Sequence, residues 1–151
     1  MKIGIDLGGS HIAVGLINDD YSIVETEGQN FTAEEKQNLG NVIVPRIKES
    51  VTKLLVSKNL LINNIESIGI ACPGTVYNGE IIKAGNLGIE HFNLEEAVYK
   101  DFNIQVNVEN DGKCAAMAEK GIGSLKNYDD CIFMNLGTGI GGAVFLGRKN
   151  A

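Results

Sequence analysis

The chain has 151 residues, a formal net charge of −6 and 21% charged residues, and 44% of its residues are hydrophobic. It is long enough for one domain that buries roughly two thirds of the surface its unfolded chain would expose, and its composition excludes a disordered chain. Lys and Arg do not cluster as nucleic-acid binding requires, and no segment approaches the ~20 apolar residues of a membrane helix. No signal-peptide pattern is present either, so we expect a cytoplasmic protein.

A predicted β-hairpin opens the chain and carries two glycines and a hydroxyl in its turn. Gly8 and Gly9 can adopt positive φ, and because they lack a Cβ, backbone N–H groups there could approach an anion closely. Ser10 adds a hydroxyl donor, and the carboxylate of Asp6 could hold a hydrated Mg²⁺ beside a phosphate. An ordinary hairpin with a Gly-Gly turn explains the same residues equally well. This stretch alone leaves both interpretations open.

A second stretch, residues 133–147, repeats the layout of apolar strand, glycine turn with a hydroxyl, and apolar strand. Asn135 takes the place of Asp6, and such an internal repeat indicates a duplicated unit. Two hairpins facing each other across a cleft would hold a nucleotide's phosphates from both sides. A G-x-G-x-x-G match at Gly137–Gly142 is followed by β-prone residues instead of a helix, and the chain has no P-loop sequence. The repeat therefore favours a phosphate clamp made of two hairpins.

The first part of the chain predicts a three-stranded meander and then a helix. Apolar runs and turn residues predict antiparallel strands over residues 2–6, 12–18 and 21–30. Thr32 and Glu35 have the spacing of a capping box, and apolar residues recur at helical spacing from Leu39 to Leu55. We expect a long amphipathic helix that Thr32 caps and that Pro45 kinks or divides into two pieces.

The next segments predict a parallel strand, a hairpin excursion and two short helices. Residues 65–72 are a predicted crossover strand that ends at Pro73-Gly74. A small hairpin around Asn78-Gly79 and the irregular loop Ala84–Gly88 follow, at the end of the strands where ligands bind. The remaining elements are a helix over residues 94–101 capped by Asn93, a strand over 105–108 and a helix over 112–121.

Asp111 stands at the junction between the last of these strands and its helix. A carboxylate at this position can simply cap the helix. A strand-to-helix junction is equally where α/β proteins present catalytic groups, so position alone leaves both interpretations open. His11 and His91 complete no Ser/His/Asp set, and we assign them no role.

Four motifs occur in the order found in a known family and extend over essentially the whole chain. They are Asp6-Leu-Gly-Gly-Ser10, Ala71-Cys-Pro-Gly74, Glu109-Asn-Asp111 before an alanine-rich helix, and Leu136-Gly-Thr-Gly-Ile-Gly-Gly142. On these motifs the chain resembles the N-terminal part of ROK-family sugar kinases, the bacterial glucokinase-like group of the actin/hexokinase ATPase superfamily. The resemblance implies an α/β domain of the ribonuclease H-like (actin-like ATPase) class, with a mixed β-sheet of about five strands flanked by helices.

The resemblance also implies a reaction and a set of site residues. The reaction is phosphorylation of a hexose such as glucose by ATP with Mg²⁺, and Asp111 would be the general base for the attacking sugar hydroxyl. The residues that match sugar-binding positions are Gly74, Thr75, Asn86 and Asn110. Those that match the phosphate hairpins are Gly8, Gly9, Ser10, Gly137, Thr138 and Gly139, and Asp6 would hold Mg²⁺ through water.

The chain departs from the family's pattern at several site positions. Ser10 stands where the family more often has Thr, and Gly112 and Lys113 stand where it has a small residue and then Asn. The family also has an aromatic residue a few positions after Asn86, where this chain has Ile89-Glu-His-Phe92. These differences bear on which sugar is bound more than on the reaction.

The predicted organisation is an N-terminal ATPase/sugar-kinase lobe over residues 1–128 and the opening hairpin of a second lobe over residues 129–151. The family's second lobe carries a Glu-x-Gly-His sugar-binding motif and a cysteine-rich zinc stretch, and neither is in this sequence. We therefore expect an incomplete lobe that is inactive, or nearly so, by itself. The second hairpin should pack against another copy, as in a homo-oligomer such as a dimer, or against the first lobe.

A sugar-sensing regulator of the same family is the alternative to a kinase. Such regulators carry a DNA-binding helix-turn-helix ahead of the sugar domain, whereas Met1-Lys2 leads directly into the first strand, so we expect no such module. A pure sensor could also dispense with the base, so the presence of Asp111 favours catalysis.

Overall fold

A computed structural model of the chain describes residues 1–136 and 140–147. Contacts divide the chain into two compact units, Met1–Asn110 and Asp111–Ala151. Among the helices of the described ranges, none is both long enough and apolar enough to cross a bilayer.

The first unit is built on a five-stranded mixed sheet in the order β3-β2-β1-β4-β8. Its strands are β1 (Lys2–Leu7), β2 (His11–Ile17), β3 (Ile23–Asn30), β4 (Ser67–Cys72) and β8 (Gln105–Asn110). The first three strands form an antiparallel meander, and β1, β4 and β8 run parallel to one another. The mixed sheet, the meander and the parallel crossover strand agree with the prediction from sequence.

Two helices cover one face of this sheet, α1 (Leu39–Ser57) and α2 (Leu94–Phe102). Helix α1 contacts β2 and β3, α2 contacts β8, and the two helices contact each other. Alternate residues of the strands point into the core between sheet and helices, as strand geometry requires. The strand residues buried there include Ile3, Ile5, Leu7, Ile12, Val14, Leu16, Ile68, Ile70, Val106 and Val108.

The start of α1 differs from the prediction. Thr32 and Glu35 do form the reciprocal bonds of a capping box: the Thr32 N–H donates to Glu35 Oε2 (2.8 Å), and the Glu35 N–H donates to Thr32 Oγ1 (3.2 Å). They close only a short 3₁₀ turn, Glu35–Gln37, because Asn38 has non-helical backbone angles. The α-helix begins at Leu39 and continues across Pro45 as one helix, so the division into two pieces is wrong, and the alternative of a kink at Pro45 stays a prediction.

A three-stranded antiparallel sheet, β5-β6-β7, is inserted between β4 and α2. It comprises β5 (Thr75–Tyr77), β6 (Glu80–Ala84) and β7 (Ile89–Asn93). The turn between β5 and β6 is Asn78-Gly79, as the sequence predicts, and both residues have positive φ. Strand β7 was not predicted. His91 in its middle has a φ of 52°, which interrupts the alternation of side chains that identifies a strand.

The second unit contains α3 (Asp111–Gly121) and a hairpin of β9 (Cys131–Leu136) and β10 (Ile140–Phe145). The hairpin strands pair antiparallel, as the internal repeat predicts, and α3 contacts both of them. These contacts group α3 with the hairpin, whereas the sequence analysis assigned this helix to the first lobe. The lobe boundary near residue 129 stays a prediction.

Candidate functional site

The predicted site residues of the first unit lie at one edge of its sheet. Strands β1, β4 and β8 are parallel, so their carboxyl ends meet at the same edge. The β1–β2 turn and the Pro73–Thr75 segment follow the ends of β1 and β4, and Asn110 is the last residue of β8. Ligands of α/β proteins bind at this edge of a sheet. The topology therefore brings together groups that are far apart in the sequence.

The β1–β2 turn has fewer backbone N–H groups available to a ligand than the sequence suggests. The N–H of Gly8 donates to the carbonyl of His11 (2.9 Å) and closes the turn, so this donor is already engaged. Neither Gly8 nor Gly9 has a positive φ, which corrects the expectation from sequence. An added Cβ would instead meet a close neighbour at each position, the movable His11 ring at Gly8 and the backbone carbonyl of Asn86 at Gly9. The phosphate contacts expected of Gly9 and Ser10 stay predictions.

Asp6 and His11 lie side by side at the base of this turn. The Asp6 carboxylate is 64% exposed, and its Oδ2 is 3.6 Å from His11 Nε2. The Ser10 hydroxyl is 3.5 Å from His11 Nδ1. Sequence reasoning gave His11 no role although it directly follows Ser10, and its ring lies over Gly8, where an added Cβ would be 2.9 Å from His11 Cε1.

The donor set at this turn fits a hydrated magnesium ion. Within the described residues, no group of three or more His, Cys, Asp or Glu side chains could hold a metal directly. A single exposed carboxylate such as that of Asp6 suits Mg²⁺, which keeps most of its water ligands and is completed by phosphate oxygens. The residues therefore fit a water-mediated site and not an all-protein one.

The loop between β6 and β7 presents Asn86 to solvent at the same edge. Leu87 is buried (3% exposed) and anchors the loop. Two backbone bonds close it, from the Leu87 N–H to Ala84 O (3.1 Å) and from the Gly88 N–H to Gly85 O (3.3 Å). The loop also touches the β1–β2 turn, since a Cβ added to Gly9 would lie 2.8 Å from the carbonyl oxygen of Asn86. The predicted phosphate turn and sugar loop are thus in direct contact.

Gly74 connects the loop to the end of β8. It has a φ of 96°, and an added Cβ would overlap the Lys83 carbonyl and the Ala84 Cα, so only glycine fits. Its own carbonyl accepts a hydrogen bond from Asn110 Nδ2 (2.9 Å). Thr75 follows Gly74 and is exposed. The four residues predicted to bind sugar, Gly74, Thr75, Asn86 and Asn110, therefore belong to adjoining segments of one edge.

Asp111 directly follows Asn110 and is the first residue of α3. Its side chain is exposed, and Oδ1 accepts a hydrogen bond from the backbone N–H of Gly112 (2.7 Å). The first turn of a helix also favours a negative charge, so Asp111 is held as an oriented carboxylate. Gly137, Thr138 and Gly139, the phosphate contacts predicted in the second hairpin, lie outside the described residues.

Comparison with solved structures defines the class of protein. The fold is that of sugar kinases with the actin-like ATPase architecture. A ROK family glucokinase from Streptomyces griseus, solved with glucose and AMPPNP, superposes with a TM-score of 0.79 at 32% identity, over 98% of this chain and 45% of that one. The fold class predicted from sequence is confirmed.

The chain belongs to the ROK family, whose model matches residues 2–151. A β-glucoside kinase of Listeria innocua is 30% identical over 96% of this chain and 47% of its own length. A xylose repressor of Caldicellulosiruptor bescii is 29% identical over 97% of this chain and 37% of its own length. The chain thus spans about half the length of the kinases it matches, and the family it belongs to contains both enzymes and regulators.

Proposed function

We propose that the chain is the acceptor-binding and catalytic-base portion of an ATP-dependent hexose kinase, with glucose or a glucoside as the acceptor. The observation that carries this proposal is the shared edge of β1, β4 and β8. The β1–β2 turn, the Gly74-Thr75 segment and Asn110 all lie at this edge. A binding site for a polyol needs several short, fixed amide and carbonyl groups, because flexible groups lose entropy on binding. The edge supplies that type of group.

Asp111 is the proposed general base. Oδ1 is oriented by the Gly112 N–H, and Oδ2 is the oxygen assigned to the proton of the attacking sugar hydroxyl. As that hydroxyl oxygen bonds to the γ-phosphorus, the bond from phosphorus to the β,γ-bridging oxygen breaks, and ADP leaves with that electron pair. The proton passes to Asp111. General-base catalysis of this kind contributes about 10²–10⁴ in rate, and positioning supplies much of the rest.

Gly9 and Ser10 are the proposed phosphate contacts of the first unit, through a backbone N–H and a hydroxyl. A magnesium ion held through water by Asp6 would neutralise phosphate charge, which matters in a chain with a net charge of −6. A kinase structure of this family with AMPPNP supports ATP as the phosphate donor.

A coupled assay of ADP release tests the proposal, with a panel of hexoses and glucosides and Mg·ATP. It is run on the chain as given and on the chain extended by any coding sequence that follows it, each with an Asp111→Asn variant. We expect turnover by the extended protein, a loss of about 10²–10⁴ in kcat for Asp111→Asn, and little or no turnover by the 151 residues alone. Turnover that survives Asp111→Asn unchanged would exclude this residue as the base.

Asp19→Asn is the matched control for this substitution. Asp19 is a highly exposed carboxylate near the amino end of β1, 3.8 Å from the N-terminal amine and 3.5 Å from Lys2. Exposed ion pairs of this type contribute at most about 1 kcal/mol to stability. The control should therefore keep full activity, and a loss comparable to that of Asp111→Asn would indicate a general effect of charge.

A sugar-sensing role without catalysis is the second candidate, and the similarity to a xylose repressor favours it. The two candidates differ in one measurable outcome. An extended protein that binds a sugar in calorimetry yet never releases ADP, with or without Asp111→Asn, would be a sensor.

A further inference from the structure

The two glycines of the β1–β2 turn meet very different neighbours. A Cβ on Gly8 would meet the end of the His11 imidazole, a side chain that can rotate away. A Cβ on Gly9 would lie 2.8 Å from the carbonyl oxygen of Asn86 and 3.6 Å from the Asn86 carbonyl carbon. That neighbour is backbone, so relief requires the turn or the loop to move. Gly9 has no positive φ, so an alanine there meets this contact without added backbone strain.

The loop that carries Asn86 has little freedom to tilt away. Leu87 and Ala84 are buried, and the two backbone bonds within the loop fix its shape. On its other side, Gly74 approaches the backbone of Lys83 and Ala84 so closely that no Cβ fits. The segment from Lys83 to Asn86 is therefore seated between two glycine backbones, which follow the carboxyl ends of β1 and β4.

We infer that Gly9 is a positioning residue for the sugar site, through its close approach to the Asn86 backbone, in addition to any contact with phosphate. This inference rests on the proposed function in assigning sugar binding to Asn86. Because of this contact, the β1–β2 turn and the Asn86 loop move together. A side chain at position 9 displaces Asn86 and thereby weakens sugar binding.

Amide hydrogen exchange on the chain as given tests the mechanical part without any activity. The reporters are the Leu87 and Gly88 amides, whose hydrogen bonds define the loop. Gly9→Ala should raise their exchange rates about tenfold or more, because the loop opens more readily. Gly8→Ala and Gly28→Ala are the controls. A Cβ at Gly8 would lie 2.9 Å from the movable His11 ring and 3.6 Å from the His11 carbonyl oxygen, and a Cβ at Gly28 would lie no closer than 3.8 Å to any atom. Both should leave the two rates within about twofold.

Steady-state kinetics on the extended protein test the functional part. Gly9→Ala should raise the sugar KM about tenfold or more with the ATP KM within about twofold, whereas loss of a phosphate contact alone would do the reverse. Asn86→Ala should also raise the sugar KM, and the double variant should match Asn86→Ala alone, since Gly9 acts through Asn86. Gly28→Ala should leave both KM values unchanged.

Each outcome decides the inference. Unchanged loop exchange in Gly9→Ala overturns it, whether or not the protein is a kinase. Faster exchange with an effect confined to the ATP KM, or with additive effects in the double variant, also overturns it. Absence of all turnover refutes the proposed function and leaves the exchange result standing. If Gly9→Ala does not fold, exchange of the unaltered chain in a denaturant series decides. The Gly8, Leu87 and Gly88 amides, whose hydrogen bonds close the turn and the loop, should open together, and separate openings contradict the inference.

Discussion

The two hairpins of the chain have the same design and opposite surroundings. In the first, β1–β2, six large aliphatic residues on one face are buried, and α1 packs against β2. In the second, β9–β10, the corresponding aliphatic face is exposed, with Leu136 opposite Ile140 and Ile132 opposite Val144 across the strands. A hairpin alone is marginal in water and needs a helix or further strands to bury its apolar face. In the first unit α1 meets that need, and within the described residues no helix lies on the exposed face of the second.

Polar contacts also fix the helix that covers the first hairpin. Arg46 on α1 binds Glu35 (2.7 Å) and Gln29 on β3 (2.8 Å), and Gln29 donates to the buried Ser50 (3.0 Å). These bonds hold α1 in place across the sheet. Next to the second hairpin, the Gly147 N–H donates to Asp130 Oδ1 (2.8 Å). Burial of an apolar face and fixation of the covering helix thus occur together in the first unit.

A matched pair of substitutions should give the largest difference between the hairpins. Val14 is fully buried and Val144 is 64% exposed. Val14→Asp places an unpaired charge in the core and should lower the free energy of unfolding by about 4 kcal/mol or more. Val144→Asp should change it by less than about 0.5 kcal/mol. Urea denaturation followed by circular dichroism measures both, and equal losses would mean that the second face is buried in solution.

Self-association should be the next largest difference. The sequence predicts that the second hairpin packs against another copy or against the first lobe, and its exposed aliphatic face is consistent with association. In sedimentation velocity, the chain as given should show a sedimentation coefficient that rises with concentration. The variant Ile132→Asp/Val144→Asp should shift it to that of a monomer. A monomer at every concentration, with fast exchange of the β9 and β10 amides, would contradict both packing arrangements.

Replacing a strand glycine by alanine should change the stability of the two hairpins in opposite directions, by less than the substitutions above. A Cβ on Gly15 of β2 would meet no atom closer than 3.9 Å, whereas one on Gly142 of β10 would lie 2.7 Å from the Phe133 carbonyl. Gly15→Ala should raise stability by about 0.5–1 kcal/mol. Gly142→Ala should destabilise the second hairpin by about 1–3 kcal/mol. Thermal unfolding reports the first effect and amide exchange in β9 the second; a stabilising Gly142→Ala would refute the close contact.

Lowering the pH should weaken the hydrogen bonds of Glu35 with Thr32 and Arg46. The resulting loss of stability is the smallest of the expected effects. The Thr32 N–H and the guanidinium of Arg46 hold the pKa of Glu35 below its ordinary value of 4.5. Because the folded-state pKa is lowered, this stabilisation is present above the unfolded-state pKa and is lost as the pH falls through the folded-state value. Glu35→Gln should flatten the decline of unfolding free energy below pH 4.5. Glu34→Gln, which alters the neighbouring carboxylate, should not flatten it.

The sequence predicted the elements of the first unit, except β7, because their signals are local. Alternation in β1 and β2, the Asn78-Gly79 turn and the Asn93 cap of α2, whose Oδ1 accepts from the Glu96 N–H (2.9 Å), all depend on residues within a few positions. The capping box at Thr32 was also read correctly as a pair of hydrogen bonds. The expectation that this box caps α1 was wrong, because the non-helical backbone of Asn38 separates the capped turn from the helix.

The reasons for glycine in the site could not be read from the sequence. Gly9 is constrained by Asn86, 77 positions later in the chain, and Gly74 by Lys83 and Ala84 through the fold of an inserted sheet. A local reading offered positive φ as the reason at Gly9, whereas the structure shows close packing of backbones. No motif indicates the contact between the predicted phosphate turn and the predicted sugar loop, because main-chain atoms make it.

The parallel order of β1, β4 and β8 also sets when the site can form during synthesis. Asn110 bonds Gly74 only after β8 has been added beside β4, and β8 is the last strand of this sheet along the chain. Pairings between distant segments form late because long loops must close first. A ribosome that has released only the meander and α1 therefore holds a polypeptide that lacks the Asn110–Gly74 bond of the proposed acceptor site. On the proposed function, a nascent chain would bind sugar only once residue 110 has emerged and docked.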